Sequence, residues 1–436
     1  MAARCPDAPP WLSITGRAST RTGTSQMQTP RLGPVASGDR LTVMDMLRGA
    51  ALLGVFAMNV EWFSRPMQEM GSGIPATATG LDHAVAWAVH VLVAGKFWTM
   101  FSLLFGMGFV LMADRIAAAG GSVERVFARR MTALFVFGLL HIALLWPGDI
   151  LHTYAMAGLL LMVMRGLAPV WQLVAGLALY FGMAAFYLAN AGLLLVVPEA
   201  MLDDMRAQFA ASAASAAVIY PDGGFLAVTG RRLLDYIQIG LQGQLVLVPM
   251  AAGVFLVGSW LMRGGWLRDP AAHRRFWWRL LAIALPPGLL FTAAGVAVGT
   301  SFSGGIVDPR AIASAGLMLL GALPLSLAYV ALLVLAWSSR PGARVLGVLA
   351  PAGRMALTHY LAQSLICSLL FYGYGFGLWG EWGRAAQTGL VLVVFALQVA
   401  VSHVWLAGHR YGPMEWLWRW ATYGRRPQWR RAAAPA

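Results

Sequence analysis

Charge is scarce in this sequence, and its cations are almost all arginine. Only 11% of the residues are charged and 59% are hydrophobic, against about 25% and 45–50% in soluble domains. With a mean hydropathy of +0.66, a soluble globular protein and a disordered chain are both excluded. Cysteine is nearly absent. Cys5 in a polar leader and Cys367 in an apolar run build neither a disulfide framework nor a cysteine metal site. The first 40 residues hold Arg4, Arg17, Arg21, Arg31 and Arg40 but no apolar core of the roughly 7–15 residues that a cleavable signal peptide needs. Residues 1–38 read as a flexible polar leader, with Met27 an alternative start to Met1. GxxxxGK[ST], HExxH and GxSxG are all missing, which removes the main support for ATP-driven transport, a helix-borne zinc site and a serine elbow.

What the chain does have is long apolar runs. A helix needs about 20 apolar residues to cross a bilayer. Ten stretches qualify: 45–64, 84–112, 131–147, 150–165, 169–197, 239–262, 277–299, 311–336, 352–373 and 386–406. They predict an all-α fold, a polytopic integral membrane helix bundle of about ten transmembrane helices. The second stretch exceeds one span and divides naturally into an interfacial helix over 82–95 and a span after Lys96. The alternating segments of a β-barrel are missing, and so is an internal repeat, which counts mildly against an inverted-repeat transporter.

Basic residues set the orientation. With both termini in the cytoplasm, 25 of the 32 basic residues fall inside. Arg65, Lys96, Arg206, Arg231, Arg232, Arg310 and Arg384 remain outside. The formal charge of +14 is thus a record of orientation, and no nucleic acid partner is needed to explain it. Residues 39–410 form the polytopic domain, with a long extracytoplasmic loop over 198–238 that holds a surface helix at 201–217. Residues 411–436 form a cytoplasmic amphipathic, basic tail with Trp416, Trp418, Trp420 and Trp429 among arginines. Such a tail suits anionic headgroups on the cytoplasmic side of the bilayer.

Polar residues inside the runs are the functional candidates, and an ionisable one costs on the order of 2.5–3.5 kcal/mol or more to insert. Asp45 and Arg48 are three apart on one helix face; the pair is either a phosphate or headgroup site or a topology anchor. Asn59 follows eleven residues later, as a helix–helix contact or a site residue. Lys96 is the only lysine, and lysine can exchange a proton where arginine cannot; the alternative is a snorkelling interfacial side chain. His141 and Asp149 flank the tight turn Pro147–Gly148, which packs two helices antiparallel and lets carboxylate and imidazole meet. A carboxylate orienting an imidazole is the usual form of a general base, though a structural pair has the same spacing. His152, three residues past Asp149, adds only a weak metal signal, and no metal is predicted. Arg354 marks the entrance of the ninth span, followed by Thr358, His359, Gln363 and Ser364. This polar stripe either lines a substrate path or pins helices together.

At these clusters the sequence resembles the YeiB-like bacterial integral membrane family, a domain-of-unknown-function family. The resemblance lies in Asp45–Asn59, Lys96–Phe109, Gly138–Tyr154, Gly353–Tyr360 and, most specifically, RYGPMEWLWRWATYGRR from Arg410. It implies a multi-pass protein of the bacterial inner membrane. The first span also looks like that of the transmembrane acyltransferase superfamily, whose members are thought to carry acyl groups from cytoplasmic acyl-CoA to extracytoplasmic sugars. In the sugar O-acyltransferase branch, Arg-Gly at the start of span one is followed by a functional histidine. Here Arg48-Gly49 is followed by Asn59, as in the branch that acetylates heparan sulfate.

Two readings follow. In an acyltransferase, Arg48, Arg354 and Asp45 hold acyl-CoA at the inner mouth. His141 and Asp149 form the base, Lys96 and Asn59 complete the site, and the acceptor is a glycan or small molecule. In a secondary transporter, Lys96, His141 and Asp149 form a proton relay, and Thr358, His359, Gln363 and Ser364 line the path.

Overall fold

The computed structural model describes residues 41–431 apart from Gly304. The leader over 1–38, with its arginines and Cys5, lies outside the described residues. Among these, sixteen α-helices follow one another. They are α1 (Thr42–Asn59), α2 (Gly80–Ala88), α3 (Lys96–Ala118), α4 (Val123–Leu144), α5 (Leu151–Met164), α6 (Pro169–Leu194), α7 (Glu199–Asp222) and α8 (Phe225–Asp235). Then come α9 (Leu241–Arg263), α10 (Arg274–Val298), α11 (Pro309–Trp337), α12 (Arg340–Gly347), α13 (Ala350–Arg354), α14 (Ala356–Phe371), α15 (Arg384–Gly408) and α16 (Pro413–Tyr423).

Each of the ten apolar stretches coincides with a helix. Among the described residues, eight helical runs are long and apolar enough to cross a membrane: Thr42–Phe63, Gly80–Ala118, Val123–Leu144, Pro169–Leu194, Phe225–Arg263, Arg274–Val298, Pro309–Trp337 and Arg384–Gly408. The chain is a multi-pass membrane protein. The other two, α5 with 14 residues and α14 with 16, reach roughly 21 and 24 Å at 1.5 Å per residue, short of the hydrocarbon thickness of about 30 Å. Both are extensively buried, and the chain entering α5 is itself sunk into the bundle: Trp146 is 3% exposed and Asp149 5%. Irregular backbone is tolerated at such depth only when protein covers it. The Gly80–Ala118 run breaks at Gly95, whose positive φ of 78° suits only glycine, so α3 begins at Lys96.

The interior is centred on α3 and α9, where Met100, Leu103, Met107, Val254, Phe255 and Leu261 are fully buried. Large apolar side chains such as Val163, Ile283 and Val404 are exposed instead, as a lipid-facing surface requires. Around the centre, α6 packs on α9, α10 on α11, α5 on α4, and α13 on α1. The α13–α1 contact is close: a Cβ at Gly353 would collide with the Asp45 carbonyl, so glycine is what lets the two backbones touch.

The segment 198–238 is not an open loop with one surface helix. It is a helical hairpin, α7 and α8, and α8 runs through a π turn, Tyr236–Gly240, into α9. Three of its charges, Arg231, Arg232 and Asp235, are buried on the bundle. Arg232 donates to the Leu145 carbonyl and to Tyr374 Oη, each at 3.2 Å. Asp235 pairs with Arg231 and accepts from Tyr220 Oη at 2.7 Å and Gln68 Nε2 at 2.6 Å. The tail is likewise structured as α16, which packs on α4 and α14.

Candidate functional site

A cavity of about 260 Å³ lies between α1, α3, α4, α5, α14 and α16. One end is ringed by Arg48, Arg115, Arg130, Arg354 and Arg419, with Asp45 and Glu415 among them. The rest of the wall is apolar and aromatic: Trp98, Phe101, Phe105, Phe109 and Phe127, with Tyr154 and Tyr360 at the deep end. Along α3 the lining runs from Trp98 to Arg115, a rise of roughly 25 Å at 1.5 Å per residue. The shape is therefore a long apolar channel with a cationic mouth.

Local contacts hold the mouth. Asp45 and Arg48 pair at 2.9 Å across one turn of α1. The Arg130 guanidinium lies 3.4 Å from the Trp418 ring centre, and Trp418 Nε1 donates to the Arg130 carbonyl at 2.9 Å. Glu415 caps α14: Oε1 accepts from the backbone N–H groups of Leu357 and Thr358 at 2.7 and 3.0 Å, and Oε2 accepts from the Thr358 hydroxyl at 2.6 Å. The tail thus docks under the cavity and positions the helix that carries Tyr360.

Beyond the deep end sits a buried acid–base cluster. His141 Nδ1 is 2.9 Å from Asp149 Oδ1. His152 Nδ1 is 2.8 Å from Asp149 Oδ2, which also accepts from the His152 backbone N–H at 2.9 Å. Asp149 Oδ2 accepts from the His152 ring, which puts that proton on Nδ1; the His141 ring stands at ion-pair distance from Oδ1, off the line of a hydrogen bond. Both Nε2 atoms meet hydroxyls: His141 Nε2 lies 2.8 Å from Ser364 Oγ, which also reaches the Tyr360 carbonyl at 3.3 Å, and His152 Nε2 lies 3.1 Å from Tyr236 Oη. Ser364, His141 and Asp149 are therefore arranged as a serine, an imidazole and the carboxylate behind it. The turn entering α5 can reach α4 because residue 138 is glycine; a Cβ there would strike the His152 backbone nitrogen and Asp149 Oδ2. Tyr360 belongs to both regions, since it lines the cavity and its ring centre lies 5.1 Å from that of His141. From Arg130 to His141 the rise along α4 is roughly 16 Å.

The structure gathers some of the sequence-selected residues and separates others. Asp45, Arg48 and Arg354 share the cavity mouth, and His141 and Asp149 are paired. Asn59, at the end of α1, lines neither this cavity nor a second one of about 130 Å³ walled by Glu61, His90 and Arg384. Lys96 is fully buried, and among the described residues its Nζ has no hydrogen-bond partner. It does not join His141 and Asp149, so no contact completes a relay through the three. The α14 stripe divides. His359 Nε2 meets Ser402 Oγ at 2.6 Å, and Gln363 donates to Gln398 at 2.9 Å, both on α15. Thr358 serves the Glu415 cap, and Ser364 alone turns to α4. Tyr360, Tyr236, Arg130, Arg419 and Glu415 were not singled out from sequence. The arginines lay hidden among topology markers, and the tyrosines sit in apolar runs. Among the described residues, no group of three or more His, Cys, Asp or Glu is arranged to hold a metal ion.

Residues 261–425 match the family described as a protein of unknown function, DUF418. The uncharacterized protein YxaH of Bacillus subtilis (strain 168) is 30% identical over 411 residues, which cover 90% of this chain and 96% of YxaH. The uncharacterized protein YeiB of Escherichia coli (strain K12) is 30% identical over 421 residues, 91% of this chain and 98% of YeiB. An uncharacterized 39.9 kDa protein in the amylase 3′ region of Bacillus acidopullulyticus is 26% identical over 404 residues. No solved structure is significantly similar. With its full-length likeness to YxaH and YeiB, the chain belongs to the DUF418 family of multi-pass membrane proteins.

Proposed function

We propose that the protein is an acyltransferase-like enzyme of the bacterial inner membrane, taking an acyl group from cytoplasmic acyl-CoA to an extracytoplasmic acceptor such as a glycan. One observation carries this reading: a single cavity joins a ring of arginines to an aromatic channel that ends, at Tyr360, against the Ser364–His141–Asp149 cluster. Guanidinium forks suit phosphate, and an apolar channel suits an acyl group and its arm. His141, oriented by Asp149, supplies a base. In this reading Arg48 and Arg354 hold the phosphates of the donor, and Asp45 orients Arg48. In this reading the chain crosses ten times with both termini inside, so that the arginine mouth faces cytoplasmic acyl-CoA and the His141 end faces the acceptor. The short α5 and α14 then cross because the α7–α8 hairpin and the sunken turn complete the distance.

The test is binding and turnover in lipid nanodiscs. Wild-type protein is expected to bind acetyl-CoA and release free CoA when a glycan panel is supplied. Arg48→Ala and Arg354→Ala each remove a charge-assisted contact of about 1.5–3 kcal/mol, a loss of roughly 10–100-fold in affinity. Acetyl-CoA binding that is absent, or indifferent to Arg48, overturns the reading.

A further inference from the structure

Two histidine–serine pairs lie on α14, and they differ in what stands behind the imidazole. His359 meets Ser402 at 2.6 Å, and among the described residues no carboxylate pairs with its ring. His141 meets Ser364 at 2.8 Å and has Asp149 at 2.9 Å on its other nitrogen. Pinning two helices together needs only the first arrangement. The second adds a carboxylate that cannot rotate away, because its other oxygen is held by the His152 ring and backbone at 2.8 and 2.9 Å. Ser364, His141 and Asp149 are 2%, 2% and 5% exposed, so their electrostatic interaction is little screened. Tyr360, one turn before Ser364, lines the cavity and touches the His141 ring. The serine therefore lies one side chain behind the channel wall.

We propose that Ser364 is the nucleophile of this site and carries the acyl group as a serine ester between donor and acceptor. The proposal rests on the acyl-transfer reading above. Ser364 Oγ attacks the thioester carbonyl carbon as its proton passes to His141 Nε2. The C–S bond breaks, and the thiolate takes that proton and leaves as the free thiol. Asp149 stabilises the imidazolium in between. In the second half, an acceptor hydroxyl gives its proton to His141 and its oxygen attacks the ester carbonyl. The C–O bond to Ser364 breaks, and Ser364 Oγ recovers the proton. No electron is gained or lost overall. A covalent carrier also resolves a geometric problem. The arginine mouth and His141 lie roughly 16 Å apart along α4, and an acyl-serine lets the donor depart from the mouth before the acceptor arrives from the other end.

The experiment uses the full chain in nanodiscs with carbonyl-labelled acetyl-CoA, quenched in denaturant without acceptor. About one label per chain is expected, as an ester on Ser364 located by peptide mass spectrometry. Ser402→Ala should label as wild type does. Ser364→Ala should carry no label. Asp149→Asn should slow labelling by roughly 10³–10⁴-fold, the size of effect seen when such a carboxylate is neutralised. Ser364→Cys keeps a nucleophile and should take the label as a thioester, released by neutral hydroxylamine where the wild-type ester is not. If wild type transfers acetyl to an acceptor with no adduct, or Ser364→Ala retains transfer, direct transfer replaces the proposal while the acyltransferase reading stands. If wild type neither binds acetyl-CoA nor releases CoA, the reading and the proposal fall together.

Discussion

Replacing Asp149 by asparagine removes the charge on which two imidazoles depend and changes almost no volume. The carboxylate stands 2.9 Å from His141 Nδ1 and accepts from His152 Nδ1 at 2.8 Å and from the His152 backbone N–H at 2.9 Å. An amide keeps one acceptor oxygen. If that oxygen stays with His152 and its backbone, the amide N–H₂ faces His141 Nδ1–H, and one of the two must give way. His141 then changes tautomer and presents Nε2–H to Ser364, leaving the serine without its proton acceptor. The lost interaction is a buried contact between imidazole and carboxylate of about 1.5–3 kcal/mol. The bonds that remain weaken as the acceptor becomes neutral, so the total destabilisation is about 2–4 kcal/mol. Equilibrium unfolding in mixed micelles, with Asp149→Asn against wild type, measures this directly. Histidine ¹⁵N spectra of the folded protein should show one Nδ1–H imidazole converted to Nε2–H. A stability change within about 0.5 kcal/mol, the range of an ordinary surface substitution, together with unchanged tautomers, would refute the ion-pair geometry and the proton assignment built on it.

Three further substitutions probe separate parts of the account. Gly138→Ala places a Cβ against the His152 backbone and Asp149 and should cost about 1–3 kcal/mol of unfolding free energy by overpacking. Gly182→Ala on α6, with open space around it, should be neutral or stabilising by up to about 1 kcal/mol; equal effects at the two sites would contradict the close approach of α5 to α4. Burial raises the Glu415 carboxyl above the ordinary carboxylate range, so the folded state holds this proton more tightly than the unfolded chain does. Its contribution is then present below the unfolded value of about 4.3 and fades as pH rises through the folded value. Unfolding of Glu415→Gln should therefore gain on wild type with rising pH from an initial deficit left by the weakened Thr358 cap, and a pH-independent difference would argue against the buried carboxylate. Lys96→Met keeps the bulk of the buried side chain and removes an ammonium with no hydrogen-bond partner among the described residues; it should stabilise the fold by about 1 kcal/mol or more. A clear loss of stability would show that Lys96 holds a partner or ligand.

The helices were legible because lipid imposes a simple rule: about 20 apolar residues in a row, with arginines at the ends. Even the start of α3 at Lys96 could be read, because the stretch 84–112 is longer than one span needs. Length limited that reading. The stretch 150–165 is already short of a bilayer at roughly 24 Å, but nothing in 352–373 marks α14 as short, because a sunken turn looks like part of an apolar run. The α7–α8 hairpin was hidden for the opposite reason. Arg231 and Arg232 counted only as outer basic residues of a loop, and only the fold brings Leu145 and Tyr374 to Arg232, and Tyr220 and Gln68 to the Asp235 that pairs with Arg231. The turn Pro147–Gly148 already implied that His141 and Asp149 could meet, since a tight turn fixes the partner across it. Ser364 was harder. Its spacing grouped it with His359 and Gln363, but one residue past Gln363 is a rotation of about 100° round the helix. That is enough to turn it from α15 toward α4. Tyr360 carried no signal, because a tyrosine in an apolar run is indistinguishable from core until its neighbours are known.

The central claim is that one cavity joins the arginine mouth to the His141 cluster and holds an acyl donor along its length. The most direct measurement is a cryo-electron microscopy structure of the full chain in nanodiscs with a non-hydrolysable acetyl-CoA analogue. The account predicts phosphate density between Arg48 and Arg354, an arm running past Phe105, and the acyl carbonyl at Tyr360 within reach of Ser364 Oγ. Analogue density elsewhere, or an empty cavity at saturating analogue, would contradict it.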